Sequence, residues 1–63
     1  MINKIHDIAD SKGISITWLS KTSGVARSHI YDIMNDKANP SMLTAKRIAD
    51  TLQTTISKLF PNA

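Results

Sequence analysis

The segment of residues 16–36 constrains the fold more than any other part of the chain, because it predicts two short helices separated by a sharp turn. The inward-facing pairs are Leu19 and Ser23 in the first half and Ile30 and Ile33 in the second. The members of each pair are three or four residues apart, a spacing that places them on one helix face. Gly24 lies between the halves and readily adopts the left-handed conformation that such a turn favours. The segment therefore predicts a helical corner at Gly24.

The chain has 63 residues, which predicts a single domain over residues 1–63 with little margin of stability. A domain of this size buries only about 60% of the surface that its unfolded chain exposes. Because there is no Cys, disulfides and Cys-based zinc sites are excluded, and His6 and His29 are distant in sequence. Helix packing is then the expected source of stability, and we expect no metal and no cofactor.

The charge and hydropathy of the chain indicate where in the cell the protein resides and which class of partner it binds. No apolar run approaches the ~20 residues needed to span a bilayer, and the N-terminus lacks a signal-peptide core. A cytoplasmic protein is therefore expected. The formal net charge of +3 suits a polyanionic partner, although many small proteins with this charge bind no nucleic acid.

Three further helices complete the predicted fold. Residues 2–12 have helical periodicity and end at Gly13, and Ser15 is the expected cap of the next helix. Pro40 interrupts the chain before a fourth helix at about residues 42–52, and a short fifth helix ends at Pro61. The inward-facing residues are Ile2, Ile5, Ile8 and Ala9 in the first helix, Met42, Ala45, Ile48, Ala49 and Leu52 in the fourth, and Ile56, Leu59 and Phe60 in the fifth. No segment shows strand-like alternation, so we predict an all-α fold of five helices around one core.

The outward face of the third helix, about Arg27–Asn35, is polar. If Ile30 and Ile33 face inward, Ser28 and Asp32 lie roughly opposite them at about 100° per residue. A tight turn followed by a polar second helix is the outline of a helix-turn-helix, in which the second helix enters the major groove of DNA. The pattern therefore predicts the DNA-reading part of a small transcription regulator, with its helix-turn-helix at about residues 16–35.

The sequence also resembles the Cro/CI-type helix-turn-helix family of phage and bacterial regulators, also called the XRE family, over nearly its whole length. The matching motifs are Gly13–Ile14–Ser15, Leu19–Ser20, Gly24–Val25–Ala26, the segment 30–36, Asn39–Pro40–Ser41, Ile48–Ala49 with Leu52, and Leu59–Phe60. The spacing is kept without gaps. Three positions depart from the family pattern: Ile16 replaces a phosphate-binding Gln, Ser20 replaces a packed Ala, and Asp36 stands where the family has a turn glycine.

The resemblance implies a compact lambda-repressor-like domain that binds double-stranded DNA as a homodimer. It also implies a dimer surface formed by the last helix, around Ile56–Phe60, and the residues after it. The expected activity is that of a repressor, or a dual regulator, at a near-palindromic operator. Arg27 and Ser28 match the base-reading positions of the family.

The candidate DNA contacts lie on the third helix and in the segments that adjoin it. The base-contacting candidates are Arg27, Ser28, Asp32 and Tyr31; the backbone-contacting candidates are His29, Asn35, Lys37, Asn39, Ser15 and Thr17. Asp32 has three open interpretations: it accepts from cytosine N4, it orients Arg27, or it is an exposed acid beside a basic residue. His29 either bonds a phosphate, pairs with Asp32 or is a solvated flank.

Two other functional classes compete with DNA binding. The sequence contains no paired carboxylates, nucleophile–base set or Gly-rich phosphate loop, so no enzymatic activity is expected. A helical protein-interaction module on the same fold, for example an antitoxin or co-regulator, remains the alternative. Such a module favours an apolar stripe on the third helix, whereas Ser28, Asp32 and Asn35 make this face polar. DNA binding is therefore the preferred prediction.

Overall fold

The computed structural model describes residues 3–61, and within this range the chain forms five α-helices and no strand. The helices are α1 (Ile5–Ser11), α2 (Ile16–Ser23), α3 (Arg27–Met34), α4 (Met42–Thr51) and α5 (Ile56–Leu59). The all-α, five-helix prediction is confirmed. In the described part of the chain, no helix has the length and apolar character that a membrane span requires.

The first helix begins three residues later than the pattern of residues 2–12 predicted. The side chain of Asn3 explains the difference, since its Oδ1 accepts a hydrogen bond from the backbone N–H of Ile5 at 3.3 Å. A side-chain acceptor at this place satisfies an N–H that the first helical turn leaves free. Ile2, which was predicted to face inward, lies outside the described residues.

One hydrophobic core holds the five helices together. Helix α2 packs against α3 and α4, and α4 also packs against α5. The buried residues are Ile5, Ala9, Leu19, Val25, Ile30, Ile33, Ala45, Ile48, Ala49, Leu52, Leu59 and Phe60. Ile8 and Ile56 pack against this core while partly buried. These positions agree with the inward faces predicted from helical periodicity, with one exception.

The exception is Met42, which was predicted to face the core and is instead 73% exposed. It is the first residue of α4, and the Cα–Cβ bonds of a helix tilt towards its N-terminus. The side chain of a first residue therefore projects past the end of the helix rather than over the neighbouring α2. Leu43, which lies off the inner stripe, is also exposed.

Three helices end in the same backbone motif, although only one of them has a glycine there. The left-handed residues are Gly13 after α1 (φ 67°), Asp36 after α3 (φ 60°) and Gln53 after α4 (φ 55°). In each motif the following N–H donates back into the helix: Ile14 to the Ala9 carbonyl (2.8 Å), Lys37 to that of Asp32 (2.7 Å) and Thr54 to that of Ala49 (2.9 Å). This is the Schellman arrangement. Asp36 and Gln53 adopt it despite the steric cost of their Cβ atoms.

The segment before α1 forms hydrogen bonds with both α3 and α5. Nδ2 of Asn3 donates to the carbonyl oxygens of Ile33 (3.0 Å) and Met34 (3.4 Å), at the C-terminal end of α3. The backbone N–H of Lys4 donates to the carbonyl of Leu59 at 2.8 Å. Residues 3 and 4 therefore bind both α3 and the last turn of α5.

Candidate nucleic-acid interface

The turn between α2 and α3 has the geometry that Gly24 predicted. Gly24 is left-handed at φ 76°, and its N–H donates to the carbonyl of Ser20 at 3.0 Å. A Cβ at this position would meet no atom within 4 Å, so the need for glycine comes from the backbone conformation alone. The turn lets α2 and α3 pack against each other, as a helix-turn-helix requires.

Two serine hydroxyls stabilise this turn through hydrogen bonds that were not predicted from the sequence. Ser20 Oγ donates to the carbonyl of Val25 at 2.7 Å, across the turn. Ser23 Oγ donates to the carbonyl of Leu19 at 2.6 Å and accepts from the N–H of Val25 at 3.3 Å. The sequence feature that indicates such bonds is the presence of hydroxyl residues near a glycine that ends a helix. At such places hydroxyl groups satisfy backbone groups that the helix leaves free.

Helix α3 has one buried face and one exposed polar face. Ile30 and Ile33 are 0% and 2% exposed. At about 100° per residue, the exposed side chains fall within an arc of about 140° on the other side. They are Arg27, Ser28, Tyr31, Asp32 and Asn35, and we call them the polar face of α3. Eight residues make a helix about 12 Å long, comparable with the width of the major groove of B-DNA.

The four residues predicted to contact bases all lie on this face. Arg27 and Ser28 occupy the first turn of α3, and Tyr31, with 45% of its surface exposed, lies one turn further along. Asp32 is exposed and forms no ion pair within residues 3–61, so it does not orient Arg27 in the unbound chain. Instead, Nη1 of Arg27 donates to Oγ1 of Thr17 on α2 at 3.2 Å.

The residues predicted to contact the DNA backbone lie on α3 and on segments that border it in sequence. Ser15 caps α2, its Oγ accepting from the N–H of Trp18 at 3.1 Å, and Thr17 is exposed one residue into the helix. Asn35, Lys37 and Asn39 are exposed at the end of α3 and in the loop that follows. His29 is half-buried and forms no ion pair with Asp32 within the described range. Of this set, Thr17 contacts Arg27, which is one of the base-contacting candidates.

The charge of the helix-turn-helix is small and positive. Residues 16–37 contain Lys21, Arg27 and Lys37 against Asp32 and Asp36, a net charge of +1. Outside this segment, Lys46 is paired with Asp50 at 3.4 Å on the surface of α4. The charge of Lys46 is therefore partly offset, whereas Lys21, Arg27 and Lys37 are exposed cations of the helix-turn-helix segment itself.

Comparison with known proteins supports the helix-turn-helix arrangement of α2 and α3. A family model described as Helix-turn-helix matches residues 5–59, from the start of α1 to the end of α5. No curated protein matches the sequence. The family match includes the whole five-helix unit as well as the two helices of the corner.

Proposed function

Because the chain belongs to the XRE-type helix-turn-helix family of DNA-binding regulators, we propose that it represses transcription by binding a near-palindromic operator as a homodimer. The family is generally non-enzymatic. The proposed repressor acts in the cytoplasm, where it reaches the bacterial or phage DNA directly.

The polar face of α3 is the observation that carries this proposal. It presents Arg27 and Ser28 in the first turn, and recognition helices place their N-terminal residues against base edges. Arg27 offers a fork of donors to guanine O6 and N7. Ser28 bonds to several bases and discriminates weakly, whereas Asp32 accepts from cytosine N4 and Tyr31 contacts a thymine methyl or the groove wall.

The remaining contacts fix the position of the domain on the duplex. In the proposed complex α2 crosses the DNA backbone while α3 occupies the groove. The proposed phosphate contacts are Ser15, Thr17, His29, Asn35, Lys37 and Asn39. Bonds to phosphates hold the protein in register without reading sequence, so these residues contribute affinity rather than base preference.

A second copy of the chain is needed because one short helix reads too few base pairs. Two copies would place their α3 helices in successive turns of the major groove, about 34 Å apart. Leu59 and Phe60 belong to the core of the single chain, which leaves Ile56 and its exposed neighbours Ser57 and Lys58 for the dimer surface. Ile56 and Ser57 also line an open groove of about 370 Å³, most of whose lining residues, among them Lys46 and Asp50, are polar.

The proposal is tested by selecting bound duplexes from a pool of randomised DNA and sequencing them. The selection is repeated at two salt concentrations. We expect enrichment of a near-palindrome whose half-sites are about one helical turn apart. Weak, salt-sensitive binding without enrichment would leave only the sequence-independent phosphate contribution. That outcome would favour a protein-interaction module on the same fold.

A further inference from the structure

The bond between Arg27 and Thr17 joins the first turn of α3 to the first turn of α2. Nη1 of Arg27 donates to Oγ1 of Thr17 at 3.2 Å, although the residues are ten positions apart. Both side chains are exposed. The bond therefore joins two solvent-exposed side chains. It lies at the end of α3 that faces a base in the proposed complex.

We propose that Thr17 is a positioning residue for base recognition, since its hydroxyl holds the guanidinium of Arg27 in a fixed orientation before DNA binds. This inference rests on the proposed function, because it assigns Arg27 a base to read. It also adds to the expected role of Thr17, which becomes a determinant of specificity at one base pair as well as a backbone contact.

The donor inventory of the two side chains is compatible with this role. A guanidinium has five N–H donors, and the bond to Thr17 uses one of the two on Nη1. Nε and both N–H groups of Nη2 remain for a two-pronged contact with guanine O6 and N7. The hydroxyl of Thr17 accepts this bond through its oxygen and keeps its own proton for another acceptor, such as a phosphate oxygen.

Fixing the guanidinium raises specificity because a free arginine adapts to more than one base. Arg has a long side chain with large rotamer entropy, and a preorganised fork loses less freedom for each hydrogen bond that it makes. When the fork is held in one plane, an incorrect base leaves donors unsatisfied, which increases discrimination. Asp32 does not provide this restraint, since it forms no ion pair within residues 3–61.

The test uses the full chain and the operator found by selection, together with its three substitutions at the base pair that Arg27→Ala no longer discriminates. Dissociation constants are measured for the native chain, Thr17→Val, Arg27→Ala and the double variant. Valine keeps the branched shape of threonine but removes the hydroxyl. Thr17→Ser keeps the hydroxyl, and Thr22→Val makes the same change at another exposed threonine of α2.

We expect Thr17→Val to reduce discrimination at that base pair about three- to tenfold, the range for loss of one exposed hydrogen bond. Discrimination at other base pairs, and the behaviour of Thr17→Ser and Thr22→Val, should stay native. In the Arg27→Ala background, Thr17→Val should change base preference no further.

Two other results would overturn the inference. Equal weakening for all four base pairs, persisting in the Arg27→Ala background, would make Thr17 a phosphate contact only. Unchanged discrimination in Thr17→Val would mean that the bond between Arg27 and Thr17 does not affect base recognition. In both cases the native chain still discriminates, so the proposed function stands; a native chain without discrimination would overturn both proposals.

Discussion

The two faces of α3 differ in what holds them in place. The inward face, with Ile30 and Ile33, is fixed by a core to which all five helices contribute. On the polar face, Ser28, Tyr31 and Asp32 have no side-chain hydrogen bond or ion pair within residues 3–61. Arg27 differs from these three through its bond to Thr17. The inward face gives the helix its position, and the polar face is left available for a partner.

In the proposed complex, stability and recognition therefore depend on different residues of one eight-residue helix. A residue whose side chain contacts only solvent can change without opening a cavity, whereas a core residue cannot. The DNA sequence that such a domain reads is therefore adjustable on an unchanged scaffold.

The largest expected effect is on the buried face. Ile30→Ala removes a fully buried side chain from the centre of the core and should lower the free energy of unfolding by about 2–5 kcal/mol. Since a small domain has little stability in reserve, much of the population should be unfolded at 37 °C. Thermal denaturation followed by circular dichroism measures the change. Leu43→Ala, at an exposed apolar position of α4, is the matched control and should be nearly neutral.

On the polar face, Arg27→Ala should weaken binding to the operator by about 1–3 kcal/mol and relax preference at one base pair. Its free energy of unfolding should stay close to that of the native chain, because the side chain is exposed. Arg47→Ala removes the other arginine, on α4, and should keep the base preference. A loss of stability as large as that of Ile30→Ala would contradict the separation of the two faces.

Lys37→Ala should reduce affinity for all duplexes to a similar extent, by about 1 kcal/mol or less near physiological salt, because phosphate contacts carry no sequence information. The slope of the logarithm of affinity against the logarithm of salt concentration should fall in magnitude by about 0.9 for one lost phosphate contact. Fluorescence anisotropy over a salt series measures both quantities. Lys12→Ala removes the same charge outside the proposed interface, and an equal change in slope there would argue against a specific contact at Lys37.

The smallest effect concerns a helix end remote from recognition. Gln53→Gly should raise the free energy of unfolding by about 0.5–1 kcal/mol, because glycine removes the strain at φ 55° but adds entropy to the unfolded chain. The reverse change at the equivalent position of α1, Gly13→Ala, should be destabilising, since its Cβ meets open space and only the conformation matters. Calorimetry measures both. DNA binding by Gln53→Gly should be unchanged, and a lower melting temperature would contradict the assigned strain.

The sequence predicted those parts of the fold that depend on local pattern. Gly24 and the spacing of Leu19, Ile30 and Ile33 located the helical corner, since periodicity and turn chemistry act over a few residues. Met42 was assigned wrongly because periodicity alone ignores the direction in which a first helical residue points. The left-handed Gln53 was missed because sequence preference favours glycine at that place.

The candidate interface was predictable as a surface but not as a set of contacts. The exposed arc of α3 follows from the inward positions of Ile30 and Ile33. The bond from Arg27 to Thr17 depends on the angle between two helices, and the bonds from Asn3 to the end of α3 join residues about thirty positions apart. Helix orientation and long-range pairing are properties of the packed chain, so no local pattern indicates them.

The bonds of Asn3 also link the C-terminal turn of α3 to any opening of the segment that precedes α1. An opening of residues 3 and 4 would return the carbonyls of Ile33 and Met34 to water and break the bond between the Lys4 N–H and the Leu59 carbonyl. Local openings of this kind occur well below the free energy of global unfolding. We therefore expect the Asn3 side chain, which precedes the first helix, to influence how fast the amides of the C-terminal turn of α3 exchange with solvent.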